Sequence, residues 1–102
     1  MTEEKERVIV SPKIYGYADG VQSHYFLEVE LPGVNKENIS LKMQEDSFYI
    51  KGETEGTTYV GSYGLCCLVK PDEAKATYND GLLKVEVPFK DPMENVIEIP
   101  IQ

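Results

Sequence analysis

The sequence predicts an all-β fold, a sandwich of about seven to eight short antiparallel strands. Apolar and polar residues alternate with period two through most of the chain, which is typical of strands that bury one face and expose the other. Turn residues separate the alternating segments at short intervals, and no segment has the length of a stable helix. The chain of 102 residues has room for a single domain.

The first part of the chain predicts two or three strands. Residues 1–11 are expected to form a short arm, in which Val8-Ile9-Val10 is apolar enough to add an edge strand. Tyr15 and Tyr17 share one face of the next strand, either packed on the sheet or open as a binding platform. The clearest alternation covers residues 25–31, where every odd-numbered position is apolar.

The middle of the chain predicts a pair of strands and a short connection. Segments 39–43 and 48–51 alternate, and the turn residues Glu45-Asp46-Ser47 join them. Residues 35–38 are expected to form one helical turn before this pair. The segment 54–62, which contains two of the glycines, is predicted to be a short connection rather than a strand.

The last part of the chain predicts a hairpin and a final strand. Asn79-Asp80-Gly81 is a strong signal for a tight turn between strands 75–78 and 82–87. Gly33 and Gly81 are expected to occupy turn positions with positive φ. Isoleucines at every second position then predict a strand over residues 96–101.

The chain is strongly acidic, with ten basic and eighteen acidic side chains and a formal net charge of −8. We therefore expect no nucleic-acid partner, because phosphate contacts need clustered lysines and arginines and Arg7 is the single arginine. An anionic membrane surface repels such a chain, and no apolar segment approaches the roughly 20 residues that span a bilayer. The charged N-terminus lacks the apolar segment of a signal peptide, so we expect a cytoplasmic protein.

The residues that most often carry chemistry are few. Cys66 and Cys67 are adjacent; on a strand they point to opposite faces, so a disulfide between them is strained and one is expected to be buried. Unpaired cysteines indicate a reduced, cytoplasmic environment. His24 is the only histidine, and it has no assignable partner for catalysis or metal binding. The sequence therefore predicts no enzyme, no metal site and no cofactor.

Four segments carry a resemblance to a known family. Residues 29–39 (VELPGVNKENI) are similar to its Leu-Pro-Gly signature, and residues 48–53 (FYIKGE) are similar to the strand that follows. Residues 74–88 (AKATYNDGLLKVEVP) resemble its hairpin, and residues 97–101 (IEIPI) resemble its C-terminal Ile-x-Ile/Val motif. In order and spacing the chain resembles the small heat-shock proteins, which share the alpha-crystallin domain, over roughly residues 12–102.

The resemblance implies a fold and an activity. It implies an immunoglobulin-like sandwich over residues 12–90, with a strand over 64–70, and a C-terminal extension over 91–102. It also implies an ATP-independent chaperone, a holdase, that needs no cofactor. Its partners are expected to be unfolded or partly unfolded client proteins and further copies of itself, in a dimer or small oligomer.

The resemblance also implies a binding groove between strands 39–43 and 75–78. The candidate lining, which we name the edge groove, consists of Ile39, Leu41, Met43, Ala76 and Tyr78. Ile97, Ile99 and Ile101, which we name the isoleucine tail, are expected to dock into such a groove by adding a strand. Alternatively, the tail folds back as an edge strand of its own domain, and the sequence leaves both arrangements open.

A second function is an adaptor or co-chaperone that binds one defined protein partner, like the CS domains, which share the sandwich. Prokaryotic and plant small heat-shock proteins carry a longer excursion where this chain has residues 54–62, and that excursion swaps a strand between dimer partners. The short segment favours the adaptor, whereas the Leu-Pro-Gly signature and the isoleucine tail favour the chaperone. The mode of dimerisation stays open.

Overall fold

The fold consists of two four-stranded sheets. The computed structural model describes residues 7–19, 23–91, 93 and 96–102. The strands are β1 Val8–Val10, β2 Ile14–Ala18, β3 His24–Glu30, β4 Ile39–Met43, β5 Ser47–Glu53, β6 Thr57–Gly64, β7 Lys75–Asn79 and β8 Leu82–Pro88. Helical structure in the described part is limited to two single 3₁₀ turns, Lys36–Asn38 and Pro71–Glu73. The predicted all-β sandwich is confirmed, as is the helical turn before β4.

The two sheets have the strand orders β1-β6-β5-β4 and β2-β3-β8-β7. Neighbouring strands are antiparallel, except that β1 runs parallel to β6. The edge strand foreseen at Val8–Val10 is therefore part of the first sheet, although it lies within the segment 1–11 that the sequence assigns to an arm. The first sheet has β1 and β4 as its edge strands, and the second sheet has β2 and β7.

The core lies between the sheets and follows from the alternation in β3, β5 and β8. In β3 and β8, Leu27 lies opposite Val85 and Val29 opposite Leu83, and all four side chains are buried. Ile50 of β5 is fully buried on the facing sheet. Each such side chain contributes roughly 1.5–3 kcal/mol by leaving water.

The β7–β8 hairpin has the predicted turn. Asp80 and Gly81 adopt positive φ angles of 50° and 82°, the combination that a two-residue type I′ turn needs. The Leu31 amide donates to the Gly81 carbonyl over 2.7 Å, so the turn also fixes the chain that leaves β3. A Cβ atom at Gly81 would lie 3.2 Å from the Cα of Pro32. The hairpin turn and the Leu-Pro-Gly segment are thus packed together.

The predicted connection over residues 54–62 is wrong, because most of it is strand β6. The Thr54 amide donates to the Thr57 carbonyl over 2.8 Å and closes a tight hairpin after β5. The chain then runs for eight residues between β5 and β1. Gly61 weakens the strand pattern in the sequence. In the structure the ring of Tyr63 lies over Gly61, so a Cβ atom there would have to displace that ring.

The strand that the resemblance implies over 64–70 is also absent. After β6 ends at Gly64 the chain bends, and only Val69 forms a bridge, to Phe89. Cys66 and Cys67 are both exposed, so the expectation that one of them is buried is wrong. The physical reason is that both residues lie on a bend, where strand alternation does not apply.

Candidate functional site

Strand β4 supplies one side of the predicted edge groove. Ile39, Leu41 and Met43 are half-buried and pack against the buried core, while Lys42 between them is exposed. On one side β4 pairs with β5, and its other side ends the sheet. An edge strand carries unpaired amides and carbonyls that can pair with an additional strand.

Strand β7 supplies the other side of the predicted groove. The Tyr78 hydroxyl lies 2.7 Å from the carbonyl oxygens of both Leu31 and Val34, and its single proton is shared between them. This contact ties β7 to the segment that leads into β4. Burial raises the pKa of Tyr78 above its ordinary value.

The structure brings four of the five predicted groove residues onto one core. Ile39, Leu41, Met43 and Tyr78 all pack against the same buried cluster. Ala76 is exposed on β7, opposite Val85 of β8, and does not belong to that cluster. The docking role of all five residues stays a prediction.

The isoleucine tail is exposed to solvent. Ile97, Ile99 and Ile101 have relative exposures of 82%, 73% and 98%. Residues 96–102 belong to neither sheet, so the strand that their alternation predicts does not form within this chain. The alternative of an edge strand in the tail's own domain is therefore not what the structure shows.

The outer face of the second sheet carries an aromatic pair. Tyr17 lies directly opposite Phe26, and their rings stack with centroids 5.4 Å apart. The Tyr17 hydroxyl donates to the Glu28 carboxylate over 3.1 Å, and this hydrogen bond raises the pKa of Tyr17. Sequence reasoning placed Tyr15 and Tyr17 on one face but missed this pairing, because the β2–β3 register is not visible in the chain.

His24 contacts Ser23, but the arrangement is not that of a nucleophile and its base. The Ser23 hydroxyl lies 3.0 Å from Nδ1 of His24 and donates its proton to the Asp19 carboxylate over 2.6 Å. The serine proton is therefore directed to the carboxylate and away from the imidazole. The other ring nitrogen of His24 lies 3.6 Å from the Glu86 carboxylate.

The described residues contain no cluster of three or more His, Cys, Asp or Glu side chains that could hold a metal ion. Within the same residues, no helix is long and apolar enough to cross a membrane.

Comparison with known proteins identifies related sequences. The model of the Hsp20/alpha crystallin family matches residues 19–102. The probable 15 kDa heat shock protein of Leptospira interrogans is 26% identical. The alignment is 111 positions long including gaps, and it covers 94% of this chain and 84% of that protein. Heat shock protein HSP.16.4 of Streptococcus thermophilus is 32% identical, in an alignment that covers 78% of this chain and 68% of that protein. Small heat shock protein C4 of Rickettsia felis is 34% identical, in an alignment that covers 69% of this chain and 53% of that protein. This chain therefore spans about half of the Rickettsia protein.

Solved structures share the fold at low sequence identity. Heat shock protein 16.0 of Schizosaccharomyces pombe superimposes with a TM-score of 0.72 at 21% identity, over 90% of this chain and 76% of that one. A small heat-shock protein from Xylella fastidiosa gives a TM-score of 0.66 at 17% identity, over 89% of this chain and 95% of that one. That protein has a distinct high order structure. At these identities the structural likeness establishes the fold alone.

Proposed function

The chain belongs to the Hsp20/alpha crystallin family, and from that premise we propose that it is an ATP-independent holdase. In this role it binds unfolded or partly unfolded client proteins through exposed apolar surface and limits their aggregation. The observation that carries the proposal is the isoleucine tail, exposed and unpaired, in a chain that has β4 and β7 among its edge strands.

The tail and the edge groove are chemically matched. The tail places an isoleucine at every second position, which puts the three side chains on one face when the segment is extended. The proposed groove would combine the free backbone edge of β4 with the half-buried apolar side chains beside it. Docking by strand addition uses both features, since the backbone supplies hydrogen bonds and the side chains fill alternate pockets.

The energy available from docking is enough to support assembly. The three isoleucines are almost fully exposed, and each contributes roughly 1.5–3 kcal/mol on full burial, before the cost of ordering the tail. Because the tail does not pair within its own chain, we propose that it docks on a second copy and builds a dimer or small oligomer. The high order structure of the Xylella fastidiosa protein is consistent with assembly of this kind.

The charge of the chain fits a chaperone that keeps other proteins in solution. A net charge of −8 on the solvated faces makes complexes with clients repel one another. The same charge opposes binding to nucleic acids and to anionic membranes. We propose the cytoplasm as the place of action, where both cysteines remain reduced.

A CS-domain-like adaptor for one protein partner is the second candidate. The observation in its favour is the tight hairpin between β5 and β6, which keeps β6 in its own sheet and leaves no excursion between these two strands. The adaptor uses the same sandwich to bind one folded partner in a fixed ratio.

The test is a light-scattering assay with a heat-labile enzyme as client, in the absence of ATP. The holdase predicts that scattering falls as the ratio of this protein to client rises toward one. Unchanged scattering at a fivefold excess of this protein, together with recovery of one partner in a fixed ratio from a pull-down, would support the adaptor instead.

A further inference from the structure

The two cysteines form a dithiol on the surface. Cys66 and Cys67 lie on the bend after β6, both are exposed, and their Sγ atoms are 3.3 Å apart. Hydrogen bonds hold the bend at both ends, from the Leu65 amide to the Asp46 carbonyl over 2.7 Å and from the Val69 amide to the Glu45 carbonyl over 2.8 Å. The fold therefore fixes the ends of the short segment that carries both thiols.

The geometry does not favour a disulfide between the two residues. A disulfide has a sulfur–sulfur bond of about 2.05 Å and usually joins Cα atoms about 4.4–6.8 Å apart. The Cα atoms of adjacent residues are about 3.8 Å apart across a trans peptide, and no described peptide bond is cis. A direct disulfide between Cys66 and Cys67 would therefore distort the backbone. An atom that bridges the two sulfurs would let them keep their present separation.

The separation of the sulfurs selects the geometry of a bridging atom. With bonds of about 2.3 Å, the length of a zinc–thiolate bond, sulfurs 3.3 Å apart subtend an angle of about 90° at that atom. A linear two-coordinate ion would need them about 4.6 Å apart on the same bond length. Zinc also prefers four ligands, and no described group of three or more His, Cys, Asp or Glu side chains supplies them. A pyramidal trivalent centre needs only two bonds from the protein, at nearly right angles.

From this geometry we propose that Cys66 and Cys67 form a bidentate site for a thiophilic trivalent centre, with uncharged trivalent arsenicals as the ligand class. The reaction is a condensation. With phenylarsine oxide, each sulfur forms one bond to arsenic, the bonds from arsenic to oxygen break, and the oxygen leaves with both thiol protons as one water. Arsenic stays trivalent and keeps its phenyl group, so no electrons are transferred and no oxidant is needed.

The electrostatics of the bend are compatible with such a ligand. A neutral arsenical is not repelled by a chain of net charge −8. The hydrogen bond between the two thiols raises the pKa of Cys67, with further contributions from burial and from the charge of Cys66. Cys67 is therefore a neutral thiol at physiological pH and a slow nucleophile toward disulfides. In the condensation its proton leaves with the water.

The test uses the full chain and two matched variants, Cys66→Ser and Cys67→Ser. Each protein is incubated with one equivalent of phenylarsine oxide, challenged with increasing glutathione and measured by intact mass spectrometry. The wild-type chain should gain one phenylarsenic group and lose two hydrogens. Because its second sulfur–arsenic bond is intramolecular, half-removal should need about 100-fold more glutathione than in either variant. A small dithiol such as 2,3-dimercaptopropanol should remove the group from all three.

Two results would overturn the proposal. One is an adduct on the wild-type chain that glutathione removes as readily as from the single-serine variants. The other is a wild-type chain that only loses two hydrogens and gains no arsenic, because the pair has then closed to a disulfide. Both cysteines are exposed, so serine substitution is not expected to unfold the protein, and circular dichroism of each variant checks this.

Discussion

The Tyr78 hydroxyl lies 2.7 Å from the Val34 carbonyl oxygen, and this contact joins β7 to the segment that leads into β4. The same hydroxyl reaches the carbonyl of Leu31, a fully buried residue. One side chain thus holds together the two elements that border the predicted edge groove. The register of the β7–β8 hairpin fixes Tyr78 opposite Leu83, with its side chain packed on the core.

The Tyr78→Phe variant should be less stable than the wild-type chain by about 1–3 kcal/mol. The substitution keeps the ring but leaves the Val34 carbonyl without the hydroxyl donor, and an unsatisfied acceptor of this kind costs about that much. The Leu31 carbonyl still accepts from the Val34 amide over 3.3 Å. Urea unfolding followed by circular dichroism measures the change. Tyr15→Phe, at an exposed tyrosine, is the matched control and should stay within about 0.5 kcal/mol of the wild type.

Alkaline pH should destabilise the protein partly through Tyr78. Burial raises its pKa above the ordinary value of 10.0, so the folded state holds the phenolic proton more tightly than the unfolded state does. The stability gained is complete below pH 10 and is lost as the pH rises through the folded-state pKa. The urea midpoint should therefore fall as the pH rises above 10, and fall less in Tyr78→Phe. An equal fall in both proteins would show that Tyr78 does not contribute; Tyr17 and Tyr25, whose pKa values are also raised, would then account for it.

The substitution Gly81→Ala should cost about 1–2 kcal/mol. Gly81 has a φ of 82°, which residues with a Cβ atom rarely adopt, and its new Cβ would lie 3.2 Å from the Cα of Pro32. Gly56→Ala is the matched control, since a Cβ there meets no atom within 4 Å and Gly56 has no positive φ. Thermal unfolding compares the two. Equal midpoints for both variants would contradict the packing of the hairpin turn on Pro32.

Local chemistry made the hairpin and the alternating strands predictable. Asp80 and Gly81 specify their turn through their own φ preferences, and the buried positions of β3 and β8 follow from period two alone. Strand β6 is not predicted because Gly61 lowers the strand signal, and the Tyr63 ring that lies over Gly61 is visible only in the structure. Alternation of apolar and polar residues predicts a strand correctly where that strand pairs with another strand of the same chain.

The errors at the isoleucine tail and the two cysteines have a common cause. Alternation at Ile97, Ile99 and Ile101 shows which side chains share a face, and it carries no information about whether a partner strand exists in the same chain. The bend at Cys66 and Cys67 is set by contacts with Glu45 and Asp46, about 20 residues earlier in the chain. Such non-local hydrogen bonds have no signature within a short segment.

Replacing all three tail isoleucines with serine should reduce the mass of the protein in solution. If the tail docks on a second copy, the variant loses the apolar burial that supports the contact, while the sandwich itself is unaffected because these side chains are exposed. Light scattering coupled to size-exclusion chromatography measures the mass. Glu98→Ser is the matched control in the same segment and should keep the wild-type mass. An unchanged mass in the triple variant would rule out the tail as an assembly element.

A groove variant decides whether the tail docks at β4. Leu41→Ala removes a half-buried apolar side chain from the edge strand and should cost about 1–2 kcal/mol of stability, a small part of the roughly 5–15 kcal/mol of a typical domain. It should lower the assembled mass much as the triple tail variant does. Because both changes then remove the same contact, the combined variant should show no further loss of mass. Additive losses would place the docking surface of the tail elsewhere, and Tyr49→Ala, on the exposed face of β5, controls for a general effect of truncation.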